Sequence, residues 1–340
     1  MHGKPNDAYS FGQLHSQEIC AGHVREFILV GFPALMDLKV LFFIVLLLTY
    51  ILTVMENVVI ISLIKTNHEL YKPMYFFLGH LSFIEVWYIS VIIPKLLANF
   101  IAEDRSISFV GCMTQIFFFS SFMCTECVLL SAMAYDRYVA ICQPLRYLVI
   151  MTYQMCIYLI ALSWFSGFTV SLIKISFISQ LEFCGPQVIN HFFCDISPVL
   201  NLACTDMSVA ETVDFVLALF ILLVPLSITI VSYLLIIMTI LHIPTTQSKK
   251  KAFSTCASHL TVVTIFFSAA LFMYARPKKI DPYDLNKLVS AVYTIVTPIL
   301  NPFIYCLRNQ ELKKAFKKVL SEKISIYKVS RSITSLQMQG

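Results

Sequence analysis

Residues 41–48 read LFFIVLLL, eight apolar side chains with neither a charge nor a helix breaker, inside an apolar run of roughly 39–64. The hydrocarbon core of a bilayer is about 30 Å thick, which takes about 20 apolar residues at 1.5 Å rise per residue. Six further runs approach that length, at roughly 73–97, 112–136, 156–179, 209–241, 252–275 and 287–307, each bounded by charges or turn residues. Lipid offers no hydrogen bonds, so each span has to be helical. The strict alternation of an outer-membrane barrel is absent. The expected fold class is an all-α membrane protein: a seven-transmembrane helix bundle.

Composition agrees with that reading. The 340 residues equal about two soluble domains in length, but 58% are hydrophobic and only 13% charged. Soluble chains average about 45–50% and 25%. Mean hydropathy is +0.77. Nine Gly and 13 Pro exclude collagen and flexible low-complexity sequence, and 11 Cys are too sparse for a disulfide miniprotein. A net charge of +5 without a basic stripe offers no footprint for nucleic acid.

Three regions follow: an N-terminal segment 1–38, a seven-span bundle 39–307, and a tail 308–340. Residues 1–38 carry no apolar core, so no cleavable signal peptide is expected and the first span starts insertion. Seven spans put the termini on opposite sides, and the Lys/Arg balance orients them. One set of segments holds 15 Lys/Arg, among them Lys65, Lys72, Arg137, Arg146 and the run 249–251, while the other holds 10, Lys174 and Lys287 included. The first set is expected in the cytosol and the N-terminus outside, at a plasma membrane. In the tail, NQELKKAFKKVL at 309–320 spaces Leu312, Phe316 and Leu320 by four among lysines, which reads as an amphipathic helix on the inner leaflet and makes membrane lipids a partner.

Polar residues inside apolar runs are the first pointers to function. Glu56, Glu85 and Glu126 are such residues. Helical rise puts Glu85 about 18 Å from Pro73, Glu126 about 16 Å from Arg137, Asn57 about 12 Å from Lys65 and Asn301 about 10 Å from Arg308. Four polar groups on four spans therefore share one slab, expected to form a cluster in which Glu85 and Glu126 share a proton or a bound cation. No other metal site is expected. Asp136-Arg137-Tyr138 closes the third span, and Arg137 there is either a boundary charge or a switch held by its neighbouring carboxylate.

Cys112, Cys184, Cys194 and Cys204 fall on the outer, oxidising side and allow three pairings, with Cys20 left over. Cys124, Cys127, Cys142, Cys156, Cys256 and Cys306 are intramembrane or cytosolic and are expected to remain thiols. His191-Phe192-Phe193-Cys194-Asp195 has metal-ligating residue types but reads as a structural loop, since a disulfide-bonded sulfur is no thiolate ligand. There is no Asn-x-Ser/Thr sequon, no Gly-rich phosphate loop, no HExxH and no Gly-x-Ser-x-Gly, so neither an enzyme nor a cofactor is expected.

Long motifs then carry a resemblance. PMYFFLGHLS at 73–82, MAYDRYVAICQPLRY at 133–147, KAFSTCASHL at 251–260 and PILNPFIYCLRN at 298–309 resemble, in that order, the signatures of olfactory receptors, rhodopsin-like G-protein-coupled receptors. The likeness covers about residues 24–320. It departs at Glu56-Asn57, where the family has Gly-Asn, at Gln143 for a usual His, and at Phe266-Phe267-Ser268 for Phe-Tyr-Gly. The resemblance implies a receptor for small, mostly hydrophobic odorants that raises cAMP through a stimulatory-type heterotrimeric G protein. It also implies a Cys112–Cys194 disulfide, leaving Cys184–Cys204 as the second. By the same carry-over the ligand site comprises Phe119, Ser120, Met123, Cys124, Leu217, Ile221, Phe267, Leu271, Tyr274 and Thr294, an apolar and aromatic lining without charge. Arg137 is implied in G-protein engagement, with Asp136 restraining it and Tyr138, Tyr233 and Tyr305 completing the switch. The rivals are a non-olfactory receptor of the same architecture and an ion-coupled transporter or channel working through Glu85 and Glu126.

Overall fold

The structure is a computed structural model that describes residues 24–32, 38–102, 105–184, 186–274, 287, 289–308, 311–319 and 321. Among the described residues, six helices are long and apolar enough to cross a membrane: α1 (Lys39–Thr66), α2 (Pro73–Ile101), α3 (Phe109–Cys142), α4 (Tyr153–Ile178), α5 (Ser208–His242) and α6 (Thr246–Tyr274). A shorter apolar helix, Val289–Pro302, supplies the seventh crossing; it passes through a π-helical turn, Val292–Val296, into α7 (Thr297–Arg308). α3 and α4 begin ahead of the apolar stretches that mark them, each started by a capping side chain. Ser108 accepts a hydrogen bond from the Gly111 N–H (3.1 Å) at the start of α3, and Thr152 does the same for Met155 (3.2 Å) in α4. Pro73 occupies the first turn of α2, where its missing N–H costs nothing.

Burial ranks the helices by position. Of the apolar window of α3, 83% is buried, against 17% for α1, so α3 is the axis of the bundle and α1 faces lipid. Close approach of α3 and α4 depends on Gly167: a Cβ there would lie 2.6 Å from the Ser121 carbonyl oxygen. Any larger residue would force the two helices apart.

At one end, here the disulfide end, the bundle carries a small sheet that the sequence reading did not anticipate. β1 (Glu26–Leu29) lies between β2 (Ser106–Ser108), antiparallel to it, and β3 (Val188–Ile189), parallel to it. Phe27 and Leu29 of β1 are fully buried while their neighbours are exposed, the two-residue period of a strand with one covered face. At the other end, the Arg137 end, residues 311–319 are helical and docked. Lys72 and Glu311 pair at 2.7 Å, Tyr75 donates to Glu311 at 2.9 Å, and Leu312 is buried whereas Phe316 is exposed. One apolar stripe in the sequence thus splits into a side chain that holds the helix on the protein and one that faces away. Leu320, Cys20 and most of segment 1–38 lie outside the described residues.

Candidate functional site

Two disulfides shape the disulfide end. Cys112 at the head of α3 is bonded to Cys194, and Cys184 to Cys204. The first draws the 180–207 segment across the bundle. Gln115 fastens it further: its side-chain oxygen accepts from Cys194 N–H (2.9 Å) and its amide donates to the Val91 carbonyl of α2 (2.8 Å). Behind the bond, His191, Phe192 and Phe193 are buried, and Phe193 meets Phe119 of α3 with ring centroids 4.9 Å apart. Burial and the nearby Lys287 ammonium push the His191 imidazole down to about 3, so it is neutral. Lys287 itself donates to Asn190 (2.6 Å).

Beneath this roof lies a cavity of about 190 Å³, lined by Phe119 and Met123 of α3, Phe193, Asp195, Ile196 and Ser197 of the 180–207 segment, Asp214 and Phe215 of α5, Ala270 and Met273 of α6, and Ser290. Of the residues expected to bind ligand, Phe119 and Met123 reach the wall. Ser120, Cys124, Ile221, Phe267 and Thr294 are buried in the surrounding helices, while Leu217 and Leu271 are partly buried against the core. The side chain of Tyr274 is outside the described residues. One expectation is corrected here: the lining is not free of charge, because Asp195 and Asp214 belong to it. Asp214 pairs at 2.8 Å with Lys174 of α4, which is 1% exposed. Asp195 caps the short helix Ile196–Leu200 by accepting from Ile196 N–H (2.8 Å), and burial pushes its carboxyl up to about 6. The signal for Lys174 and Asp214 was present in the sequence: both are ionisable residues inside apolar runs. Counting Lys174 as a flanking charge concealed it.

Deeper in the bundle, the polar slab is assembled. The Asn301 amide of α7 donates to Glu85 of α2 at 2.6 Å, and both are buried with Asn57 of α1 and Glu126 of α3. Glu126 is close enough to act electrostatically on Glu85. Asn57 Oδ1 and Glu126 Oε1 are buried acceptors without a donor among the described residues. Orphaned acceptors of this kind suit a cation or a proton. No group of three or more His, Cys, Asp or Glu with metal-binding geometry occurs among the described residues.

At the Arg137 end, the Arg137 guanidinium is clamped to Asp136 at 2.5 Å, and Tyr147 donates to the other carboxylate oxygen at 2.8 Å. Tyr138 is partly buried and accepts from the Gln143 amide at 3.2 Å. Tyr233 of α5 bonds His259 Nδ1 of α6 at 2.6 Å and lies within electrostatic reach of Arg137. Cys256 and His259 of α6 lie within electrostatic reach of Arg137. Sequence reasoning missed Tyr147 and His259, although both stand inside quoted motifs, because their partners are set by helix packing. The side chain of Tyr305 lies outside the described residues.

Comparison with known proteins agrees with this geometry. The model of the family described as "Olfactory receptor" matches residues 46–323. The chain is 62% identical to Olfactory receptor 6B1 of Homo sapiens over 296 residues, 87% of this chain and 94% of that protein. It is 56% identical to Olfactory receptor 6B9 of Mus musculus over 299 residues, 88% of this chain and 95% of that one. Against Olfactory receptor 226 of Rattus norvegicus the identity is 55% over 304 residues, 88% and 93% of the two chains.

Proposed function

The chain belongs to the olfactory receptor family of rhodopsin-like G-protein-coupled receptors, and on that premise we propose that it binds small, mostly hydrophobic odorants under the 180–207 loop and thereby activates a stimulatory-type heterotrimeric G protein, raising cAMP. It is a multi-pass plasma-membrane protein. The proposed orientation puts the disulfide end and N-terminus outside and the Arg137 end and C-terminus in the cytosol, following the excess of basic residues and the oxidised cysteines. No catalytic step is assigned to any residue.

The observation that carries the reading is the layout of α3. It lines the cavity with Phe119 and Met123 and ends in the clamped Asp136–Arg137 pair, about 20–27 Å away along one rigid helix. Between them stands the cluster of Asn57, Glu85, Glu126 and Asn301, the proposed holder of a sodium ion or a shared proton. A ligand that packs against Phe119 and Met123, with Ser120, Cys124, Ile221, Phe267 and Thr294 behind them, biases how α3 sits against α5 and α6. That bias is transmitted to Arg137, whose release from Asp136 exposes a cation to the G protein. A ligand acts only through its differential affinity for the two states.

The test is a ligand screen in a heterologous cell with parallel cAMP and membrane-current readouts. The expected result is odorant-evoked cAMP with no current carried by the receptor. Current that persists without G protein and vanishes in Glu85→Gln would replace the receptor with an ion path.

A further inference from the structure

A second recess lies away from the odorant cavity, at the Arg137 end and on the lipid side. It is a groove of about 1170 Å³ between α1, α2 and α4, larger than the roughly 300–1,000 Å³ of small-molecule pockets. Its walls are aromatic. Phe76 of α2 meets Tyr153 of α4 with ring centroids 5.7 Å apart, and Phe83 meets Trp164 at 6.0 Å. Gly79 supplies the open floor, where a Cβ would touch only Ile64 of α1, at 3.6 Å.

Depth and charge define what fits. From Pro73 to Phe83 along α2, and from Tyr153 to Trp164 along α4, the groove is about 15–16 Å deep at helical rise, half the hydrocarbon thickness of about 30 Å. It therefore spans a single leaflet. Its mouth carries Lys65 from the last turn of α1 and Lys72 from the cap of α2. Lys72 shares its charge with Glu311 at 2.7 Å, whereas no ion pair is formed by Lys65 among the described residues. Glu69, the one acid in the 65–72 connection, is not part of the lining. Cations at headgroup level above an apolar slot one leaflet deep are complementary to an anionic lipid.

We propose that this groove is a binding site for an anionic phospholipid of the leaflet at the Arg137 end. Acyl chain lies along Phe76, Phe83 and Trp164, and the headgroup phosphate lies at Lys65, with Lys72 beside it. Nothing in this assignment depends on the odorant reading.

The chain's two tryptophans, Trp87 and Trp164, make the test direct. Trp87→Phe leaves Trp164, in the groove wall, as the only indole. The full chain is placed in phosphatidylcholine nanodiscs containing either brominated phosphatidylserine or brominated phosphatidylcholine at equal mole fraction. Brominated phosphatidylserine is expected to quench Trp164 with an apparent affinity about fivefold higher per engaged lysine. Lys65→Gln should lower that preference, and Lys65→Gln with Lys72→Gln should abolish it. Gly79→Leu, which fills the floor, should reduce quenching by both lipids. Lys65 is exposed, and its variant is checked for an unchanged unfolding midpoint. Equal quenching by the two lipids overturns the proposal, as does a preference that survives the double lysine variant. Protection of Trp164 by a sterol but not by unbrominated phosphatidylserine overturns it as well.

Discussion

Cys112, at one end of α3, is held to the 180–207 loop by a covalent bond, whereas Arg137, at the other end, is held by an ion pair to Asp136 that Tyr147 reinforces. Both regions are buried and both are polar. The disulfide end is a fixture: the bond, the Gln115 bridge and the buried Phe192–Phe193 pair define one arrangement of the roof. The Arg137 end is held by contacts that can exchange without breaking a covalent bond: the Asp136–Arg137 ion pair, the Tyr147 hydrogen bond to Asp136 and the Tyr233–His259 hydrogen bond. A signalling protein needs both kinds of end. A pocket that rearranged freely would lose ligand affinity to ordering, and a switch that was bonded covalently could not turn over.

The sharpest way to break this contrast is to remove the covalent tie. Cys112→Ser or Cys194→Ser is expected to abolish surface expression and odorant response. Cys184→Ser and Cys204→Ser should cost less, because they open a loop of separation 20 where the first pair closes one of 82. Chain entropy ranks the two at about 3.3 and 4.5 kcal/mol. Normal trafficking and signalling of the Cys112 and Cys194 variants would mean that the roof is not a fixture.

The opposite end is tested by Arg137→Ala. Ligand binding should stay within about twofold of the parent while cAMP production is lost, because the residue lies about 20–27 Å from the cavity along α3. Asp136→Asn should raise basal activity while lowering expression, since a buried guanidinium that loses its carboxylate costs about 3–5 kcal/mol. Preserved cAMP in a well-expressed Arg137→Ala variant would take this residue out of the switch.

Between the ends, the Glu85–Asn301 contact and Glu126 decide whether the two regions communicate through a shared polar site. Glu85→Gln and Glu126→Gln should each shift basal cAMP, normalised to surface expression, several-fold. The double variant should fall short of the sum, because each substitution removes the other's repulsion. Strict additivity would separate the two acids and leave the ends linked only by packing.

How much of this was legible in the sequence differs between the two regions as well. Spans, the polar slab and Asp136-Arg137 could be read directly, because hydropathy and helical rise report depth along a single helix. What stayed hidden depends on which helix faces which. Tyr147 reaching Asp136, Tyr233 reaching His259, and Lys174 paired across α4 and α5 with Asp214 are all products of packing. The sheet was hidden for another reason: Glu26–Leu29 alternates correctly for a strand, but four residues are too short a signal until β2 and β3 lie beside them. Of the residues carried over by resemblance, Phe119 and Met123 line the cavity, while Ser120, Cys124, Ile221, Phe267 and Thr294 are buried outside its lining.

The smallest effect is a pH response confined to the roof. Two groups there have displaced titrations of opposite sense. His191 binds its proton only at about 3 in the folded state, against an ordinary 6.5, so its share of stability is full above pH 6.5 and is lost as pH falls toward 3. Asp195 holds its proton up to about 6 against an ordinary 3.8, so its share is full at low pH and is lost as pH rises toward 6. The charged neighbours differ too: Lys287 faces His191, while Asp214 and Lys174 face Asp195. Between pH 7 and 5.5 the two contributions nearly cancel, leaving a loss of protection of about twofold in hydrogen exchange of the 186–200 segment. Separating them should reverse the sign. His191→Gln, which cannot titrate, should become about fourfold more protected on the same acid shift, and Asp195→Asn about eightfold less. Exchange rates corrected for their intrinsic pH dependence would show all three. If the variants and the parent respond alike, the roof does not sense pH through these residues, and the covalent end is as inert to protons as its disulfide is to helix movement.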